Sequence, residues 1–211
     1  MTNSLDARVV RLAAEAGVEV GGTLAGQLAA YLGLLAKWNV TLNLTGFELD
    51  RPSDEAIRRL LVEPLAAAAL VPVTVKVAVD VGSGGGSPAL PLKLLRPSIQ
   101  FVLVESKARK GAFLREAIRH LGIERAEIAT ERFEDFSARA DRQASADLIT
   151  VRAVRVDENR WLQMASVLGP GGCVLLFGTR ASSPPVHLPF VAASTLEVPG
   201  SDVLITAAAR L

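Results

Sequence analysis

An α/β fold with a mostly parallel sheet is the fold class this chain predicts, and three observations predict it. From residue 75 onward, short apolar runs alternate with amphipathic segments of helical length. The first run, Val75-Lys-Val-Ala-Val-Asp-Val81, passes directly into Gly82-Ser-Gly-Gly-Gly-Ser-Pro88. The last two runs flank Pro199-Gly200-Ser201 with no helix-length segment between them, which makes an antiparallel hairpin. A chain of 211 residues has room for one such domain and a modest helical extension.

The N-terminal part reads as helices over 5–16, 23–38 and 53–70. In the second, Leu24, Leu28, Tyr31, Leu32 and Leu35 form one apolar stripe. Between the last two, Asn39-Val-Thr-Leu-Asn-Leu-Thr-Gly46 suits a turn better than continued helix. The expected division is therefore a helical extension over 1–72 and an α/β domain over 73–211. Within that domain the segments fall at 75–81, 89–95, 100–105, 108–121, 126–129, 147–151, 158–168 and 173–177. Segment 108–121 is helical by its pattern, since Phe113, Leu114, Ala117, Ile118 and Leu121 share a face that Lys107, Arg109, Arg115 and Arg119 largely avoid. Gly122 supplies a left-handed cap. Strands over 190–198 and 202–209 make the closing hairpin.

Composition excludes several kinds of chemistry. The only cysteine, Cys173, lies in the apolar run Cys-Val-Leu-Leu-Phe177, which suits a packed strand in a reducing compartment. Two histidines, His120 and His187, leave almost no material for a metal site or a Ser/His relay, so no metal is expected. No apolar run approaches the roughly 20 residues needed to cross a bilayer. The first residues also lack the layout of a signal peptide. A soluble cytoplasmic protein without membrane contact is expected. Net charge is only +1, yet residues 71–125 hold nine Lys and Arg against four Asp and Glu. That local excess suits either a phosphate-rich partner or an ordinary solvated helix face.

The glycines say more. Gly82, Gly84 and Gly86 permit a tight turn and close approach of a ligand to the backbone, and Pro88 suits the start of a following helix. Asp80 lies just before the loop, and Glu105 closes the next strand, where a carboxylate can accept hydrogen bonds from ribose hydroxyls. The spacing Gly-x-Gly-x-Gly, with Ser87 following, departs from the usual dinucleotide pattern. A carboxylate beside the loop also disfavours a pyrophosphate. A nucleoside cofactor carrying positive charge, S-adenosyl-L-methionine, fits better than a nicotinamide dinucleotide.

Trp38-Asn39, Asn43-Leu44-Thr45, Asp80-Val-Gly-Ser-Gly-x-Gly-x-Pro88, Pro91-Leu92, Arg96-Pro97, Val104-Glu105-Ser106, Lys110-x-x-Phe113-Leu114-Arg115, Arg152-Ala153 and Pro170-Gly171-Gly172 occur in this order. Together they resemble the small-subunit ribosomal RNA methyltransferase G family, also called glucose-inhibited division protein B. The resemblance runs from about residue 25 to residue 178. It implies a class I, Rossmann-like methyltransferase fold: a seven-stranded, mostly parallel sheet with an antiparallel C-terminal hairpin and a helical N-terminal extension. It also implies methyl transfer from S-adenosyl-L-methionine to the N7 of a guanine in 16S ribosomal RNA of the small ribosomal subunit. A monomer is expected. N7 attacks with a free lone pair and releases no proton, so no catalytic base is expected.

Carried over by position, the resemblance implies cofactor contacts from Gly82, Ser87, Phe133, Glu134 and Arg152, with Gly84 and Gly86 shaping the loop and Glu105 at the ribose. RNA contacts are expected from Lys37, Asn39, Asn43, Arg58, Arg59, Lys107, Arg109 and Lys110, with Arg155 and Trp38 as further candidates. Some family positions differ here. Arg58-Arg59-Leu-Leu-Val62-Glu63 stands where the family usually has Arg-His-x-x-Asp-Ser, and Leu176-Phe177-Gly178 where it has Leu-Lys-Gly. Segment 179–188 is short and Pro-rich where a charged helix is usual. These changes leave open a methyltransferase acting on a small molecule or protein, or a non-catalytic cofactor-binding protein of the same fold.

Overall fold

The computed structural model describes residues 4–178 and 184–211. Strands β1 (Val77–Val81), β2 (Gln100–Val104), β3 (Ala126–Ala129), β4 (Ala146–Arg152) and β5 (Leu168–Gly178) run parallel. Strands β6 (Phe190–Glu197) and β7 (Leu204–Arg210) form an antiparallel hairpin, with β7 paired to β5. The seven-stranded order is β3-β2-β1-β4-β5-β7-β6. Gly200 turns the hairpin at φ +74°. The strand order reverses between β1 and β4, which opens a crevice beyond their carboxyl ends.

Alternate residues of each strand face opposite layers. Ala78, Phe101, Leu103, Leu148 and Leu175 meet one layer, while Val79, Val102, Ile149 and Val174 meet the other. The second layer is α7 (Phe133–Ala138) and α8 (Glu158–Val167), which contribute Phe136, Trp161 and Met164. The first contains α5 (Ala89–Leu95) and α6 (Ala108–His120). Gly122, at φ +60°, follows the end of α6.

The N-terminal helices join that first layer. α1 (Leu5–Glu15), α2 (Gly22–Leu42), α3 (Asp54–Ile57), α4 (Glu63–Ala67) and the turn between α3 and α4 pack so that Leu28, Tyr31, Leu35, Leu61 and Leu65 share one continuous core with Leu90, Leu92 and Phe113. The division at residues 72 and 73 thus falls within a common hydrophobic layer. Ser53 starts α3 by accepting the Ala56 N–H, and Asp54 and Glu55 complement the positive helix end.

Three boundaries differ from the sequence expectation. Helix α2 continues one turn past Trp38, because Asn43 takes the left-handed cap at φ 48° while Asn39 stays helical. The helix expected over 53–70 is instead α3, a π-helical turn Arg58–Val62, α4 and a short 3₁₀ turn Ala68–Leu70. Strand β5 begins at Leu168, earlier than expected, with a register shift against β4 between Ala146 and Leu148. The Pro-rich segment 179–188 lies partly outside the described residues.

Candidate active site

A cavity of about 640 Å³ occupies the crevice. Gly82, Ser83, Gly84, Gly85 and Ser87 line it from the loop after β1, Glu105 from the end of β2, and Arg152 and Ala153 from the end of β4. The helical extension supplies the opposing wall through Leu35, Asn43 to Phe47, Arg59 and Leu60. Its size is that of an ordinary small-molecule site.

The loop glycines have different jobs. Gly82, Gly84 and Gly86 all adopt left-handed φ, at +69°, +50° and +90°. A Cβ on Gly82 would lie 2.7 Å from Val154 Cγ2, and one on Gly86 would lie 2.6 Å from Leu90 Cδ1. A Cβ on Gly84 would meet nothing closer than the Gly82 carbonyl oxygen at 3.7 Å. Gly84 therefore keeps space open, whereas Gly86 is buried against Leu90 and Leu114 and does not line the cavity.

Glu105 faces this loop. Its Oε2 accepts the Gly84 N–H at 2.9 Å and its Oε1 accepts the Lys107 N–H at 2.8 Å. Each carboxylate oxygen retains capacity for another donor. Asp80, expected from sequence to lie beside the loop, is buried beneath it. Thr150, its register partner on β4, donates to Asp80 Oδ1 at 2.5 Å, and Oδ2 has no partner among the described residues. Burial pushes the Asp80 carboxyl up to about 6 against the opposing pull of the Thr150 hydrogen bond.

The π-helical turn feeds the site from the other side. Its register sends the Glu63 N–H to the Arg58 carbonyl, which releases the Arg59 carbonyl. Pro64 has no N–H to offer the Leu60 carbonyl four residues earlier. Both freed acceptors are taken by cavity residues: Arg152 donates to the Arg59 carbonyl, and Ser87 Oγ donates to the Leu60 carbonyl at 2.8 Å. Ser87 thus lines the cavity with its hydroxyl already engaged.

Arg152 also meets Glu63 Oε2 at 2.8 Å and lies over the Phe177 ring, 4.5 Å from its centroid. The Glu63 side chain is fully buried, while 16% of the Arg152 side chain remains exposed. Ser201 donates to the other Glu63 oxygen. Burial raises the Glu63 pKa and lowers that of Arg152, each opposed by the pairing. Arg152 is therefore a partly exposed cation whose counter-ion lies inside the protein.

Other expected contacts separate. Phe133 and Glu134 begin α7 and do not line the cavity. Phe133 is buried against Phe136, and the Glu134 carboxylate pairs with Arg160 at 2.8 Å. Of the RNA candidates, Asn43, Arg59 and Lys110 line the cavity. Lys37, Lys107, Arg109 and Arg155 are exposed. Asn39 is a structural clasp: its Oδ1 accepts the N–H groups of Leu44 and Thr45 at 2.7 and 2.9 Å. Arg58 binds Glu15 and the Pro199 carbonyl, and Arg59 pairs with Asp202 at 3.0 Å. Trp38 packs on Phe113, with ring centroids 5.9 Å apart.

Tyr31 and Glu63, which bind the Gly85 carbonyl and Arg152, lie outside the set of site residues expected from sequence. Each left a signal: Tyr31 is the chain's one tyrosine and sits in an apolar stripe, and Glu63 is an isolated acid between Val62 and Pro64. Both positions call for a buried partner. Cys173 is buried, and its thiol is pushed up to about 11, which removes the thiolate at neutral pH.

The strand order with its hairpin, and a glycine loop meeting a carboxylate at the switch point, define a class I S-adenosylmethionine-dependent methyltransferase fold. A SAM-dependent methyltransferase from Aquifex aeolicus superposes with a TM-score of 0.56 at 12% identity, covering 73% of this chain and 92% of that one. Residues 25–183 match the family model described as rRNA small subunit methyltransferase G. Ribosomal RNA small subunit methyltransferase G of Xanthomonas campestris pv. campestris strain B100 is 38% identical over 152 residues, which is 72% of this chain and 67% of the relative. The protein of that name from Xanthomonas euvesicatoria pv. vesicatoria strain 85-10 is 35% identical over 169 residues, 79% of this chain and 76% of the relative. The chain belongs to the rRNA small subunit methyltransferase G family.

Proposed function

We propose that the protein transfers the methyl group of S-adenosyl-L-methionine to the N7 of a guanine in 16S ribosomal RNA. The observation that carries the donor assignment is the pairing of Glu105 with the Gly84 N–H at the cavity surface. Gly84 leaves backbone-close space there, and Glu105 retains lone pairs for ribose hydroxyls. Arg152 offers the remaining charge of its guanidinium to the donor's carboxylate. When bound, S-adenosyl-L-methionine supplies an electrophilic methyl on a sulfonium centre.

The guanine lone pair forms the C–N bond as the C–S bond breaks with its electrons going to sulfur. No proton leaves, so the chain needs no general base, and its residues act by alignment and exclusion of water. Leu35, Leu44, Leu60 and Val203 supply apolar cavity wall for that purpose. Lys37, Lys107, Arg109 and Arg155 are exposed for phosphate contact, and Lys110 lies at the cavity.

Mass mapping of 16S ribosomal RNA from cells with and without this chain tests the proposal. Deletion should remove one N7-methylguanine, and re-expression should restore it. Identical modification maps would refute the assignment.

A further inference from the structure

Tyr31 links the helical extension to the glycine loop. It is fully buried on α2, and its hydroxyl donates to the Gly85 carbonyl at 2.7 Å. Its neighbours on the helix are Leu28, Leu32 and Leu35, all buried, so the hydroxyl is directed at the loop from an apolar layer. Burial raises the phenol pKa, and the group stays a donor through the neutral range. The surrounding fit is close: a Cβ on Gly85 would lie 3.2 Å from both Leu35 Cδ1 and the Leu44 carbonyl oxygen.

The adjacent residue, Gly84, is held from the other side by Glu105 at 2.9 Å. The loop is thus gripped at consecutive residues, by a carboxylate from β2 and a phenol from α2. A run of glycines has more backbone freedom to lose than any other sequence. Fixing it before the ligand arrives lowers the ordering cost of binding.

We propose that Tyr31 is a positioning residue for the donor, holding Gly85 so that the Gly84 backbone and the Glu105 carboxylate keep the geometry that receives it. The inference rests on the donor reading above and makes α2 part of the donor site. It requires no change in the chemical step, because Tyr31 lies behind the loop and does not line the cavity.

Calorimetry of the full chain with S-adenosylhomocysteine tests it, beside steady-state methylation kinetics. Tyr31→Phe should weaken S-adenosylhomocysteine binding roughly three- to tenfold, the consequence of losing one such hydrogen bond. The donor KM should rise in parallel, while kcat at saturating donor stays within about twofold. Leu12→Val, a buried control on α1, should lower the melting temperature without changing S-adenosylhomocysteine affinity. Unchanged affinity in Tyr31→Phe, or equal weakening in Leu12→Val, overturns the inference alone. Absence of binding by the native chain overturns the donor reading and this inference with it.

Discussion

Arg152 and Glu63 form an ion pair of 2.8 Å that joins the last residue of β4 to the first residue of α4 across the cavity wall. The pair explains how a cation at the crevice coexists with an apolar interior. Its anion is buried in the helical extension, and the Phe177 ring offers the guanidinium a favourable face. The same extension binds Arg152 through the Arg59 carbonyl and Ser87 through the Leu60 carbonyl. It thus acts as a structural half of the site.

Breaking this pair should cost more than removing it whole. Glu63→Ala leaves Arg152 without its counter-ion and should destabilise the chain by about 3–5 kcal/mol, whereas Glu63→Leu combined with Arg152→Met should recover most of that loss. Urea unfolding of the variants in a double-mutant cycle measures both effects. Additive losses would show that the two residues do not act as a pair.

Asp80 should give stability a distinct pH dependence. Its folded pKa is raised to about 6 from 3.8, so the folded state holds the proton more tightly than the unfolded chain. The resulting stabilisation is complete below about pH 4, is lost as pH rises to about 6, and stays lost above that. A shift of about two pH units corresponds to about 3 kcal/mol. Asp80→Asn cannot titrate, so its stability relative to the native chain should rise between pH 4 and 6 and then level off. Unfolding midpoints of both proteins at successive pH values check this, and parallel curves would contradict it.

Two glycines of one loop should respond differently to substitution. Gly86→Ala combines left-handed strain with a clash at 2.6 Å from Leu90 Cδ1, and should lower stability by more than about 2 kcal/mol. Gly84→Ala makes only an ordinary contact, 3.7 Å from the Gly82 carbonyl oxygen, and should cost only about 1–2 kcal/mol in backbone strain. Gly84→Leu should keep a cooperative fold yet abolish S-adenosylhomocysteine binding by occupying the cavity. Thermal melts and calorimetry on the three variants separate folding from binding.

Local patterns made much of this fold legible. The strand before Gly82, the helix ending at Gly122 and the hairpin at Gly200 rest on periodicity and on conformations glycine adopts freely. Glu105 was legible because the end of a strand next to β1 must approach the glycine loop. Ser87's engagement was not, since its partner carbonyl at Leu60 is freed by Pro64 and lies 27 residues away in sequence. The turn residues at Asn39 misled for a related reason: its side chain satisfies Leu44 and Thr45 while its backbone remains helical. Phe133 and Glu134 stand at family positions, but core packing and Arg160 hold them outside the cavity.

The exposed cations should govern RNA affinity without touching donor affinity. Lys107 precedes α6 and Arg109 lies in its first turn, both exposed, and their side chains form no ion pair among the described residues. Each phosphate they neutralise releases counter-ions, so binding to 16S ribosomal RNA should weaken steeply with salt. Lys107→Ala and Arg109→Ala should each reduce the logarithmic salt slope by about one. Arg58→Ala should leave that slope unchanged, because Arg58 is committed to Glu15 and the Pro199 carbonyl. Filter binding across a salt series measures the slopes, and S-adenosylhomocysteine calorimetry on the same variants should give native affinity. Native slopes in both α6 variants would remove this helix end from the RNA surface, whereas a lower slope in Arg58→Ala would show that its protein contacts yield to phosphate.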